Sequence, residues 1–192
     1  MWKIIIVSAL LVTVLAEDID KFYGEWTPIA MYPGVDHYSR QCLKFNFSRE
    51  KGTSHCTCPD GRRTILVTAD ITGQNVHLES RELMTMTVVD TPDEAKAAMN
   101  VTCQCAGKEY PQRVAVRSIN ENFFVLYITR GYISKAFVFA KTMPNASELT
   151  HLLKVEIEDL KSQRGSVMCV LNNIKGNELE SHANAGNTNV WN

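Results

Sequence analysis

The stretch Asp18-Ile19-Asp20-Lys21-Phe22-Tyr23-Gly24-Glu25-Trp26 decides how this chain is read. On residues alone, Gly24-x-Trp26 is a tight turn followed by a buried indole. Pro28-Ile29-Ala30-Met31-Tyr32-Pro33 then continues as a first strand. Upstream, Trp2-Lys3 gives a short cationic start, Ile4 to Leu15 an apolar run, and Val14-Leu15-Ala16 a small-residue cleavage site before Glu17. That is the pattern of a secretory leader. The expected division is a signal peptide over 1–16, one folded domain over 17–174, and a disordered polar tail rich in Asn and Gly over 175–192.

The chain carries 20 basic and 21 acidic residues, net −1, and Lys3 is the single charged side chain of the leader. This balance gives no electrostatic case for nucleic acid or an anionic membrane. Past the leader no run approaches the roughly 20 apolar residues of a membrane span. Six cysteines behind a leader read as disulfides, because the secretory route is oxidising. Asn46-Phe47-Ser48, Asn100-Val101-Thr102 and Asn145-Ala146-Ser147 are N-glycosylation sequons. Together these features predict a secreted, extracellular, disulfide-bonded glycoprotein.

The middle of the chain is a succession of short β-like runs: 42–47, 64–71, 75–83, 99–105, 113–119, 123–129 and 135–141. Turn residues such as Pro59-Asp60-Gly61, Thr72-Gly73, Gly107, Asn120-Glu121-Asn122 and Gly131 separate them. With the strand after Trp26, the spacing predicts about eight strands in an antiparallel sandwich or barrel. Between 146 and 161 the period changes. Leu149, Leu152, Leu153, Val155, Ile157 and Leu160 fall mostly at helical spacing, with Asn145 or Ser147 as the cap and Gly165 as the stop. Val167 to Leu171 reads as one more strand, and 93–98 as a helical turn or a polar loop.

This order resembles that of the lipocalins: a short helix, a G-x-W, eight antiparallel strands, one helix and a last short strand. The likeness covers residues 18–171. The first motif stands intact as Gly24-x-Trp26. The second, T-D-Y between two late strands, corresponds to Ser118-Ile119-Asn120, where the turn survives and the acid does not. The third places an arginine over the tryptophan, and Lys141 takes that place in Phe137-Val138-Phe139-Ala140-Lys141-Thr142. Lysine keeps a cation for the ring but not the planar fork. The chain is thus similar to arthropod-type secreted lipocalins, divergent in the second and third motifs. The resemblance implies an all-β, eight-stranded antiparallel up-and-down barrel with a C-terminal α-helix packed outside.

It also implies a bridge from Cys42 to Cys169, tying the second strand to the C-terminal segment. An outward Asn46 puts Cys42 outside and Leu43, Phe45 and Phe47 inside, since alternate strand residues face opposite sides. The remaining cysteines form two C-x-C pairs, Cys56-Thr57-Cys58 and Cys103-Gln104-Cys105. Side-by-side strands allow 56–103 with 58–105, or 56–105 with 58–103. A four-thiolate metal site beside His55 is the sharper alternative, against an oxidising compartment and an unusually tight spacing. Strand phase counted from an outward Asn100 turns Cys103 and Cys105 inward, so a bulge intervenes or Asn100 precedes the strand.

Nothing in the chain calls for catalysis. His37, His55, His77, His151 and His182 are scattered, and the chain lacks G-x-S-x-G, H-E-x-x-H, P-loop and G-x-G-x-x-G signatures. The reading is a non-enzyme without cofactor or metal. The candidate lining of a hydrophobic cavity is Leu43, Phe45 and Phe47, then Phe124, Leu126 and Ile128, then Phe137 and Phe139. Arg117 and Tyr127 are candidates to orient a ligand. Residues alone leave open whether the eight apolar groups enclose a cavity or fill the barrel. The resemblance implies reversible binding and transport of a small hydrophobic molecule: a pigment, retinoid, fatty acid, sterol or odorant. The alternative is a secreted effector or inhibitor that binds a protein partner on the same scaffold.

Overall fold

The computed structural model describes residues 19–34, 42–51, 56–73, 79–130, 133–160 and 162–169. The expected signal peptide and polar tail lie outside these residues, as do His37, His55, His77 and His182. A 3₁₀ turn, Ile19–Phe22, leads into β1, Gly24–Tyr32. Gly24, the first residue of β1, sits at φ +105°, a left-handed conformation that side chains with a Cβ resist. That is the physical need behind the glycine of the motif. Next come β2 (Leu43–Arg49), β3 (Cys56–Thr57), β4 (Arg63–Gly73) and β5 (Ser80–Val88). The second half of the barrel holds β8 (Val114–Ser118), β9 (Phe123–Arg130) and β10 (Ile133–Ala140).

Hydrogen bonds run in the circuit β1–β2–β4–β5–β8–β9–β10 and back to β1, a closed barrel of seven strands. Every step is antiparallel except β5 with β8, which is parallel through Thr87 opposite Ala115 and Val88 opposite Val116. The eight-stranded, wholly antiparallel expectation therefore needs correction. The segment read as a further strand, 99–105, does not enter the barrel. Instead Pro92–Ala98 forms a short helix, α1, capped by Thr91, whose Oγ1 accepts from the Glu94 amide at 3.3 Å. A hairpin follows, β6 (Thr102–Cys105) and β7 (Lys108–Pro111), around Ala106 and Gly107, both at positive φ.

That hairpin attaches to β3, where Thr57 lies opposite Gln104 in antiparallel register. The flanking cysteines therefore meet crosswise, as Cys56–Cys105 and Cys58–Cys103. This excludes the four-thiolate site. Asn100 sits in the turn before β6, which removes the conflict over strand phase. Displacing the hairpin sideways is what lets β5 and β8 touch. A third bridge joins Cys42 to Cys169, 127 residues apart.

The outer wall of the barrel is covered by the C-terminal segment. It begins as α2, Ala146–His151, capped by Asn145, whose side chain accepts from the Glu148 amide at 2.9 Å. The helix expected to run on to 161 changes winding instead. Residues Leu152–Glu156 form one π turn, closed by the Ile157 amide on the Leu152 carbonyl, and Glu158–Leu160 a 3₁₀ turn. The wider turn rotates Ile157 onto the barrel beside Leu152, Leu153 and Leu160, and leaves Val155 55% exposed. These side chains bury Ala30, Val125, Tyr127, Ala136 and Val138 of the outer wall. Beyond them Ser166–Val167 forms β11, paired with Ala30 and Met31 of β1.

Arg117 and Tyr127, candidates for the cavity, belong to this outer layer. Arg117 Nη2 lies 2.9 Å from Asp159 Oδ1, and Tyr127 donates to Asp159 Oδ2 at 2.7 Å. Both side chains point away from the interior because their neighbours in sequence, Val116 and Leu126, point into it. The pair clamps the C-terminal segment to the barrel and faces away from its interior.

Two predictions follow from this layer. Burial, then the bond to Asp159, raises the Tyr127 phenol above its ordinary 10.0; burial alone pushes Tyr32 up to about 12. A raised phenol stabilises the fold fully below pH about 10 and loses that contribution as the pH climbs through the folded value. Urea midpoints are therefore expected to fall between about pH 10 and 12, and Tyr127→Phe to fall less steeply. Separately, Cys42→Ser with Cys169→Ser is expected to cost about 4–5 kcal/mol in the chain-entropy model, read from urea unfolding.

Candidate ligand-binding site

Strand alternation sends one set of side chains into the barrel: Phe45 and Phe47 from β2, Ile65, Val67 and Ala69 from β4, Met84 and Met86 from β5. Val114 and Val116 of β8, Phe124, Leu126 and Ile128 of β9, and Phe137 and Phe139 of β10 complete it. Seven of the eight candidate lining residues thus share one apolar interior. Leu43, at the first position of β2, is half-buried and lies outside that cluster.

One end of the interior is solid. Phe124 stacks on Phe139 with centroids 4.9 Å apart and meets Trp26 edge-on at 4.6 Å. Phe47 closes on both rings at 6.1 and 5.8 Å, and Phe45 meets Phe139 at 5.1 Å. Trp26 is 2% exposed, and its Nε1 donates to the Phe22 carbonyl at 3.0 Å. Thus the turn Ile19–Phe22 plugs this end, with Phe22 itself edge-on to Phe124 at 5.4 Å. Lys141 Nζ stands 5.8 Å from the Trp26 ring centroid. It holds the position in which the resemblance places an arginine.

The other end is open. A cleft of about 600 Å³ lies between β5, β8, β9 and β10, walled by Met84, Val114, Ile128 and Phe137 and rimmed by Glu82, Leu83, Arg113, Thr129 and Lys135. Ile128 and Phe137 are candidate residues from the sequence. Phe124, Leu126 and Phe139 continue the same inward rows toward the closed end. Sequence reading missed Met84, Val114, Glu82, Arg113 and Lys135. Alternation held the signal for two of them: Lys135 is two residues before Phe137, and Met84 two before the buried Met86. The run expected over 75–83 stopped short of the part of β5 that carries Met86.

No family model matches the chain, and no curated protein matches it. Among the solved structures it matches are lobster crustacyanins. Lobster apocrustacyanin A1 is 9% identical, with 84% of each chain covered and a TM-score of 0.41. Apocrustacyanin C2 is 10% identical, covering 85% of this chain and 86% of that one at 0.43. Apocrustacyanin C1 is 9% identical, covering 90% and 91% at 0.43.

The remaining candidates are peripheral. His151 is exposed, with Nε2 3.5 Å from Glu156 Oε1 on the outer segment. Asn46, Asn100 and Asn145 are all exposed, on β2, in the turn after α1 and at the cap of α2. All six cysteines are bridged, which leaves no thiol nucleophile.

Lys141→Met is expected to cost about 0.5–1 kcal/mol, as for a cation–π contact at an exposed site, while Lys141→Arg keeps wild-type stability. Denaturant titration of the two variants checks both.

Proposed function

We propose that this protein is a secreted lipocalin-type carrier that buries a small hydrophobic molecule reversibly at the open end of its barrel. The observation that carries the reading is the apolar cleft of about 600 Å³, formed by the inward rows of four barrel strands. A volume of this size falls within the roughly 300–1,000 Å³ of small-molecule sites. Ligand binding by burial needs apolar walls and no reactive group, and Met84, Val114, Ile128 and Phe137 supply the walls.

Depth is the finer part of the proposal. Ile128 and Phe137 contact the ligand directly; Leu126 and Phe45 form the next layer; Phe47, Phe124 and Phe139 act as a fixed floor. Leu43 stands near the mouth on the opposite strand. The ligand therefore sits shallow, and its far end reaches solvent. Secretion is supported by the leader-like first 16 residues, three bridges and three exposed sequon asparagines. Residues 1–16 are the cleaved leader, 17–174 the barrel domain and 175–192 a solvated tail in this reading.

The rival reading, an effector that binds a protein partner, wants a contiguous exposed apolar patch. Among the described residues the exposed large hydrophobics are Leu83 and Val155, at 48% and 55%, on separate elements. Two isolated side chains favour the carrier.

Native mass spectrometry of the protein secreted by a eukaryotic line tests the proposal. The expected result is a non-glycan adduct that denaturation releases. Phe137→Asp and Ile128→Asp are each expected to cut its retention at least about tenfold, because a buried carboxylate replaces an apolar wall. Val155→Asp, on the outer surface, retains it. Equal retention in all three variants refutes the site.

A further inference from the structure

One of the three sequons stands beside the open end of the barrel, and the other two do not. Asn46 lies opposite Glu25, next to the pairing of Trp26 with Phe45 near the closed base. Asn145 follows, by four residues, Lys141, which stands over the Trp26 ring. Asn100 is placed differently. Its predecessor Met99 touches the lip of the cleft, where Thr129 Oγ1 lies 3.1 Å from Met99 Sδ. Its successor Val101 accepts at its carbonyl from the Gln112 amide at 2.7 Å, and Arg113, the next residue, lines the same lip. The lip itself is tied together by the Thr129 amide, which donates to the Arg113 carbonyl at 2.9 Å. Asn100 is exposed, and so is Thr102, which completes the sequon.

The position is also held from both sides. Thr102 opens β6, and the next residue, Cys103, is bridged to Cys58, so the sequon is fixed between α1 and a disulfide-held hairpin. A sugar rooted there swings about a fixed point just outside the mouth. N-linked sugar is bulky, hydrated and confined to the surface. It adds no apolar wall to the cleft, so the bound state keeps its depth. What it takes up is the space a ligand crosses. An obstacle on that path raises the barrier to entry and to exit by the same amount and leaves the equilibrium where it was. We infer that an N-linked glycan on Asn100 overhangs the mouth and gates ligand exchange. This rests on the carrier reading of the cleft and adds to it a control over rate rather than affinity.

Glycopeptide mass spectrometry of the protein secreted by a eukaryotic line is expected to find sugar on Asn100. Stopped-flow mixing with the apolar fluorophore phenylnaphthylamine then reads entry and exit. Thr102→Ala, which deletes the sequon and keeps Asn100, is expected to raise both rates about threefold at unchanged Kd. Ser48→Ala and Ser147→Ala, which delete the other two sequons, are expected to keep wild-type rates. Endoglycosidase trimming of the unmutated protein is expected to reproduce the faster exchange, and it carries the test alone if Thr102→Ala does not fold. Bare Asn100, rates that either treatment leaves unmoved in folded protein, or a change in dissociation alone overturns the gate and leaves the carrier standing. Failure of the fluorophore to bind trimmed and untrimmed protein alike overturns both.

Discussion

The ring of Phe124 lies between Phe139, stacked at 4.9 Å, and Trp26, edge-on at 4.6 Å, and the lower barrel is arranged about that contact. It draws together β1, β9 and β10, and through the indole N–H it fixes the 3₁₀ turn that covers the base. Each aromatic pair of this kind adds about 0.5–1.5 kcal/mol beyond the area it buries. A base assembled from five rings has no room for a guest. The upper half, where Met84, Val114 and Ile128 replace rings, is the part left loose. Packing therefore loosens from one end of the barrel to the other.

Strand number explains why the base is solid. Eight strands give an interior just wide enough to be filled by side chains or to hold one small ligand. Seven make it narrower, and large inward groups then complete the filling. The missing strand is accounted for by the helix α1 and the β6–β7 hairpin, which the two crossed C-x-C bridges hold against β3. Thr64 and Thr87, hydrogen-bonded side chain to side chain, and Gln112, bonded to the Val114 carbonyl, are buried at the junction of hairpin and barrel. Satisfied polar groups of this kind specify one docking position where an apolar contact would allow sliding.

Much of this was legible from residues alone. Alternation in β2, β9 and β10 identified the inward rows, since each carries a large apolar group at every second place. Gly24-x-Trp26 located the base, because the backbone there needs a glycine and the indole needs burial. What escaped reading was tertiary. The order of strands around a barrel is not written in any one strand: the two C-x-C pairs placed 103–105 beside 56–58, but nothing in 99–105 told that this pairing would take it out of the barrel wall. The π turn at Leu152–Glu156 was hidden because Val155 and Ile157 compete for one face, and only the shape of the barrel wall chooses between them. Arg117 fell on the outside through a phase that an anchor in β8 would have given, and Tyr127 through the phase of β9, which already turns Leu126 and Ile128 inward. Lys135 was passed over because a charged side chain near a strand end ordinarily points to water.

A closed barrel has no edges, but this one carries an annex that does. The hairpin continues the sheet outward from β4 through β3 and β6 to β7, and β7 ends that path. Its outer side is a row of backbone groups open to another chain, the arrangement through which sheets add strands and aggregate. The residues along it are Lys108, Glu109, Tyr110 and Pro111. Two opposite charges and a proline without an amide hydrogen make a poor template for a further strand. The disulfides that hold the hairpin against β3 thus create an exposed margin whose composition suits it poorly to adding a strand.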